Sequence, residues 1–159
     1  TPHWIVRYLV ENSLGRLWML NRPASKLIER MDYYIRPEQP ESDFLRISKP
    51  EEIKICDPAC GSGHMLTYAF DLLHAIYEEE GYEPSEIPEK ILTHNLYGIE
   101  IDERAGELAA FALTMKARAS IWSTTYDATP WAKAVRKVAS ESPIREPRKR
   151  RRPISYKPK

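Results

Sequence analysis

A chain of 159 residues, 42% hydrophobic and 30% charged, is long enough to bury one core and has the composition of an ordinary soluble globular protein. It contains neither a run of 18 apolar residues nor a signal peptide, so a membrane partner is not expected and a cytoplasmic location is. The formal net charge of +1 hides an asymmetry: from Ala132 onward eleven Lys and Arg face two Glu, which leaves −8 on the rest.

In chain order, Thr1-Pro2 reads as a capping residue followed by proline at the first helical position. Ile5, Tyr8 and Leu9 then recur on one face of a helix running to about Leu20. Residues 25–34 read as a second helix, with Leu17, Trp18, Leu27 and Ile28 as packing residues; Pro37, Pro40 and Pro50 then mark an irregular connection. Residues 53–56 form a first apolar strand and residues 65–77 a helix that ends at Gly81 with Glu78, Glu79 and Glu80 on a solvated face. Pro88 opens a short helix through Thr93, residues 96–102 form a second strand ending in acids, and residues 103–119 form an alanine-rich helix. The run Ala119-Ser120-Ile121-Trp122 has the composition to begin a further strand.

Between the first strand and its helix lies Asp57-Pro58-Ala59-Cys60-Gly61-Ser62-Gly63, a strand, glycine turn and helix in succession. Two glycines around a serine let the backbone turn sharply and bring N–H groups to a ligand at the positive end of the helix dipole. The same turn also serves a helix that merely packs closely on a strand. A phosphate-binding P-loop needs Lys then Ser or Thr after its second glycine, and His64-Met65 stands here instead. A dinucleotide fingerprint needs a third glycine or alanine and an acid about 20 residues on; Leu66 fills the first position and Glu100 lies 37 residues past Gly63. Asp57 repels a phosphate and suits a ligand carrying an ammonium or sulfonium group.

Glu100 closes the second strand, Leu96-Tyr97-Gly98-Ile99-Glu100-Ile101-Asp102. In a doubly wound sheet the carboxyl ends of parallel strands face the ligand crevice, where a carboxylate accepts both hydroxyls of a ribose. The competing account, acids at a helix N-terminus, fits Asp102 and Glu103 better. Cys56, Cys60 and His64 fall in a Cys-x3-Cys-x3-His pattern, but zinc wants a fourth ligand and no second pair follows; these read as small buried thiols, neither metal ligands nor a disulfide.

The Asp57–Gly63 loop followed by Gly98-Ile99-Glu100-Ile101-Asp102 resembles the first two motifs of class I S-adenosylmethionine-dependent methyltransferases, in the form used by N6-adenine DNA methyltransferases. Thr1-Pro2-His3-Trp4-Ile5-Val6 resembles the further motif those enzymes place before the glycine loop. The stretch from His64 through Lys116 is most like the adenine-specific methyltransferase of the BREX phage-defence system, and the resemblance covers residues 1–119. It implies an α/β, Rossmann-like class I methyltransferase fold in part: N-terminal helices, then the first strand-helix-strand-helix of a parallel sheet. By the same resemblance Thr1 meets the methionine carboxylate of S-adenosylmethionine. Asp57, Pro58, Ala59, Cys60, Gly61, Ser62 and Gly63 hold its ammonium and carboxylate, Glu100 takes the ribose and Ile101 lies against the adenine. His64 departs from the aromatic residue usual there.

In that family an Asn or Asp followed by Pro-Pro and an aromatic grips the extruded adenine of double-stranded DNA. The chain has no Pro-Pro; Thr129-Pro130-Trp131 is the nearest pairing and reads as a turn, so no catalytic residue is assigned. The expectation is an S-adenosylmethionine-binding portion of a site-specific adenine methyltransferase of restriction-modification or phage defence, inactive alone and working with other subunits of a defence complex. The alternative is a non-catalytic cofactor- or DNA-binding module of such a complex. The expected organisation is a helical segment packed on the pocket over residues 1–50, the cofactor-binding portion over 51–122, and a basic, proline-rich, disordered tail over 123–159. That tail serves either DNA contact or solubility. The lack of an initiating Met at Thr1 points to a chain taken from something longer.

Overall fold

The computed structural model of the chain describes residues 1–126. The tail expected over 123–159 and the Thr129-Pro130-Trp131 turn lie outside them, except that residues 123–126 continue the last helix.

The chain opens with a rod: α1 (His3–Val10), a π-helical turn (Glu11–Gly15) and α2 (Arg16–Asn21). The helix starts one residue later than its sequence suggests, with Pro2 in the cap position, so Thr1 stands outside it. Val6, Val10, Leu14 and Trp18 are its buried apolar side chains. Their four-residue spacing overshoots a 3.6-residue turn, and the wider π turn absorbs the excess so that all four face the core. The face expected to be buried is turned outward instead, with Tyr8 41% and Leu9 46% exposed.

The second helix is only a 3-10 turn, Lys26–Arg30, capped by Ser25 accepting from the Leu27 N–H at 3.1 Å. Past Met31, whose N–H still bonds Ile28 O, backbone donors turn to the rod instead: Tyr33 N–H donates to Glu11 Oε2 at 2.6 Å and Ile35 N–H to Asn12 Oδ1 at 2.8 Å. Residues 31–49 then run without regular structure to a 3-10 turn at Pro50–Glu52.

Strand β1 (Ile55–Asp57) pairs in parallel with β2 (Leu96–Gly98), Asp57 opposite Gly98. Helix α3 (His64–Glu79) supplies much of the core through Leu66, Phe70, Leu73, Ile76 and Tyr77, the i, i+3, i+4 stripe of an amphipathic helix. Gly81, at φ 81°, ends it: its N–H bonds Glu78 O and the Tyr82 N–H bonds Tyr77 O, the paired bonds of a Schellman cap. Of the three acids here, Glu79 does more than face solvent, accepting from the Ser25 hydroxyl and the Lys26 N–H.

Helix α4 (Ile87–Lys90) and a π turn (Ile91–Asn95) lead into β2. Asn95 is fully buried and satisfied: its amide donates to Pro50 O and Ile53 O at 2.8 Å each, and its oxygen accepts from Tyr77 Oη at 2.9 Å. Helix α5 runs Glu103–Tyr126, so the strand expected at residues 119–122 is helix. With no Gly or Pro between Glu107 and Tyr126 to break it, the alanine-rich helix carries through the short apolar run. It lies along α3, with Lys116 paired to Asp71 and Ala117 buried in the core.

The result is helices combined with a small parallel sheet, of two strands among the described residues. Cys56, Tyr97 and Ile99 are exposed, as are Leu108, Phe111 and Met115 at helical spacing on α5. No described helix is long and apolar enough to cross a membrane.

Candidate functional site

Parallel pairing puts the ends of β1 and β2 side by side, and backbone hydrogen bonds carry the pairing into the loops. Ile99 N–H reaches Asp57 O at 2.9 Å and Cys60 N–H reaches Ile99 O at 3.0 Å. The glycine loop is thereby held against the segment that leads to Glu100.

Gly61 and Gly63 both adopt positive φ, 52° and 81°. Their surroundings differ. A Cβ on Gly61 would meet nothing within 4 Å, whereas one on Gly63 would stand 2.9 Å from the Ala109 Cβ and 3.1 Å from its Cα. Gly61 therefore keeps an open face beside its N–H, and Gly63 lets α5 approach the start of α3. Of the two alternatives for the turn, close packing describes Gly63.

Glu100 is the most connected side chain of the site. Its Oε2 accepts from Gly61 N–H at 2.7 Å, and its Oε1 from Ile101 N–H at 2.9 Å and Asp102 N–H at 3.0 Å. The Asp102 and Gly61 N–H groups, then that of Ile101, pull its carboxyl below the usual range against a smaller desolvation effect. Asp57 Oδ1 accepts from Ala59 N–H at 3.2 Å, closing the first turn of the loop. Burial, then the charges of Asp57 and Glu100, push the Cys60 thiol up. Cys60 is half-buried and Cys56 exposed, both free thiols, so the expectation of two buried thiols does not hold.

A cavity of about 380 Å³ lies between the N-terminal rod and the β1–α3 junction. It brings together Thr1, Asp57 and Pro58, with Leu14, Met65 and Leu66 among its apolar walls. Glu100, Ile101 and Gly61 do not line it, and Ile101 is fully exposed. Ser62 Oγ and His64 Nδ1 lie 2.9 Å apart at the start of α3.

Sequence reasoning missed a buried polar cluster beside this cavity. Glu11, in the π turn and fully buried, accepts from Tyr68 Oη at 2.7 Å, Arg7 Nε at 3.2 Å and Tyr33 N–H. Arg7 also pairs with Asp32 at 2.6 Å. Burial, then the hydrogen bond to Glu11, pushes the Tyr68 hydroxyl up to about 12. The available signal was an acid set directly after Val10 on a helix whose neighbours Val6, Val10 and Leu14 are apolar. The cluster joins the rod that begins at His3 to α3, which begins at His64.

Two curated proteins are similar to this chain. The adenine-specific methyltransferase BrxX of Escherichia coli O9:H4 (strain HS) is 50% identical over 126 residues, covering 74% of this chain and 10% of that protein. The adenine-specific methyltransferase PglX of Lacticaseibacillus casei (strain Zhang) is 42% identical over 131 residues, covering 74% of this chain and 11% of that protein. The chain thus spans about a tenth of the length of the curated relatives it matches. Residues 42–131, more than half of the chain, match the family model described as "MmeI, DNA-methyltransferase domain", and the chain belongs to that family.

Proposed function

We propose that this chain is the S-adenosylmethionine-binding portion of a DNA methyltransferase that modifies adenine at N6, built on a Rossmann-like class I fold and working in phage defence. The observation that carries the reading is a pair of acids beside neighbouring parallel strands, Asp57 at the end of β1 and Glu100 two residues past the end of β2, bridged by a loop whose Gly61 N–H lies 2.7 Å from Glu100. Two carboxylates around one loop favour a cationic ligand over a phosphate.

The donor set fits the cofactor in chemistry. Asp57 meets the ammonium, with Thr1 across the same cavity for the carboxylate and Pro58 beside them. Ala59, Cys60, Gly61, Ser62, Gly63 and His64 do not line that cavity and are assigned to the methionine end by the family resemblance. A carboxylate has about four acceptor sites, and three on Glu100 are engaged by N–H groups. Its Oε2 retains one for a ribose hydroxyl, and the second hydroxyl competes with the Gly61 N–H. Ile101, fully exposed, is free to lie against an adenine ring. When bound, the cofactor supplies an electrophilic methyl group, and its positive charge is lost on transfer.

Adenine N6 belongs to a base extruded from double-stranded DNA. No Asn/Asp-Pro-Pro-aromatic run stands in the 159 residues to hold it, so transfer is assigned to the larger protein and its partners in a defence complex. The similarity to BrxX and PglX, both adenine-specific methyltransferases, supports the choice of base. Titration calorimetry with S-adenosylmethionine tests the reading: binding by the 159-residue chain, weakened in Glu100→Ala, is expected. Absence of binding by the parent chain defeats it.

A further inference from the structure

Residues 31–49 form a nineteen-residue connection without helix or strand. Loops of that length in compact domains are uncommon and usually carry function. Three side chains of the N-terminal rod fix its shape. Asn12 donates to Tyr33 O at 2.7 Å and accepts from Ile35 N–H at 2.8 Å. Asn21 donates to Leu45 O at 2.9 Å and accepts from Ile47 N–H at 3.0 Å. Between them Arg16 forms an ion pair with Glu41. The loop is therefore held at its beginning, middle and end.

What it encloses is a cleft of about 610 Å³ that shares no lining residue with the Thr1–Asp57 cavity. Met19, Leu20 and Ile28 give it an apolar floor, while Tyr34 and Phe44 contribute aromatic faces. Arg36 and Arg46 are exposed and also line it, and neither pairs with a carboxylate among the described residues. The Arg46 guanidinium lies over the Phe44 ring, 3.9 Å from its centroid. The one carboxylate lining the cleft, Glu41, is already neutralised by Arg16. The exposed acids Glu38 and Asp43 sit on the same loop but do not line the cleft.

Two uncompensated guanidiniums beside aromatic faces match a polyanion that carries flat rings. A guanidinium presents a fork of N–H donors to a phosphate, and stacking on Phe44 preorients that of Arg46 while leaving its edge free. Bases stack on aromatic rings without regard to sequence. We propose that this cleft is a nucleic-acid contact site, taking the phosphodiester backbone of a DNA strand on Arg36 and Arg46 and an unpaired base against Phe44. The choice of DNA rests on the methyltransferase reading above; the anionic, ring-bearing chemistry rests on the cleft alone.

The test is binding of a fluorescein-labelled single-stranded oligodeoxynucleotide to the 159-residue chain across a salt series. The basic residues beyond Ala132 contribute equally to parent and variants, so the difference isolates the cleft. Each lost phosphate contact lowers the slope of log affinity against log salt by about 0.7, so Arg36→Gln/Arg46→Gln is expected to lower it by about 1.4. Arg36→Lys/Arg46→Lys keeps the charge and is expected to keep the slope. Phe44→Ala is expected to weaken binding about fivefold or more with the slope retained. An unchanged slope in the double Gln variant overturns the proposal. So does polyglutamate binding as tight as the oligonucleotide's and equally lost in that variant, which would make the cleft an acidic-peptide site. S-adenosylmethionine calorimetry on the same proteins separates the two ideas. Cofactor binding unchanged by the Gln pair is expected, while a parent chain that binds DNA through the cleft but binds no cofactor defeats only the methyltransferase reading.

Discussion

The Gly61 N–H lies 2.7 Å from Glu100 Oε2, so the loop leaving β1 is tied to the residue that follows β2 by a charge-assisted hydrogen bond. The contact joins positions 39 residues apart and makes one side chain both a brace for the loop and the proposed holder of a ribose. Replacing Glu100 by Ala removes both roles. Glu100→Gln keeps the size but turns an NH2 group toward backbone donors. Both variants are expected to bind S-adenosylmethionine about tenfold more weakly or worse, the range for hydrogen bonds to a charged group. Equal affinity in parent and Glu100→Ala proteins by calorimetry removes Glu100 from the ribose role.

The two glycines of the loop are expected to respond differently. Both carry positive φ, so alanine at either costs about 1–2 kcal/mol of backbone strain. Only at Gly63 does the new Cβ also meet Ala109. Gly63→Ala is therefore expected to lower denaturation stability more than Gly61→Ala, and adding Ala109→Gly to recover the difference. A double-mutant cycle with no coupling between 63 and 109 refutes the packing role.

The pH dependence follows from three carboxylates whose folded pKa values are depressed. For Glu100 the Asp102 and Gly61 N–H groups dominate. At Glu51, burial opposes the shift but the backbone, the Tyr82 hydroxyl and Lys90 outweigh it. At Glu79, burial again opposes, and the Ser25 hydroxyl and Lys26 N–H outweigh it. A depressed folded pKa gives stability that is complete above the unfolded value of about 4.3 and is lost as pH falls through the folded values. Melting temperature is expected to be level from about pH 7 to 5 and to fall below that; Glu79→Gln should flatten part of the acid limb.

Asn95 offers a check on the core. Asn95→Ala takes the amide partner from the Ile53 carbonyl and the Tyr77 hydroxyl in a fully buried place, while the Pro50 carbonyl keeps the Ile53 N–H. At about 1–3 kcal/mol for each unsatisfied group, a loss of about 3 kcal/mol or more is expected in urea denaturation.

The parts of this molecule legible in the sequence are those governed by near neighbours. Gly61 and Gly63 announce a turn because positive φ belongs to glycine, whereas the strand expected over residues 96–102 and closed by Glu100 ends at Gly98, two residues earlier. The rest depended on partners far along the chain. Residues 25–34 have helical spacing, yet Glu11 and Asn12 take the N–H groups of Tyr33 and Ile35 that a longer helix would need. The π turn, which orients Val6 through Trp18, appears only as a four-residue spacing that an ordinary helix reading places on the wrong face. The run at 119–122 is too short for its period to separate strand from helix, and the preceding alanines decide it.

Cofactor binding without methyl transfer is the expected behaviour of the purified 159-residue chain. In the proposed reading Asp57, Thr1 and Glu100 serve the methionine and ribose ends, whereas the sequence contains no Asn/Asp-Pro-Pro-aromatic run to accept hydrogen bonds from an adenine amine and stack its ring. Positioning two reactants accounts for up to about 7–11 kcal/mol of such a barrier, and a bound methyl donor alone supplies half of that arrangement. DNA held only by the basic residues beyond Ala132 would have no oriented base, since phosphate contacts carry register but no base geometry. The measurement is transfer of a radiolabelled methyl group to mixed genomic DNA, run beside a longer protein that contains the motif, with calorimetry showing both samples loaded with cofactor. Label in DNA from the longer protein alone is expected. Turnover by the short chain would place an acceptor site within these residues and direct attention to Thr129-Pro130-Trp131, the one pairing of proline with an aromatic near its basic end.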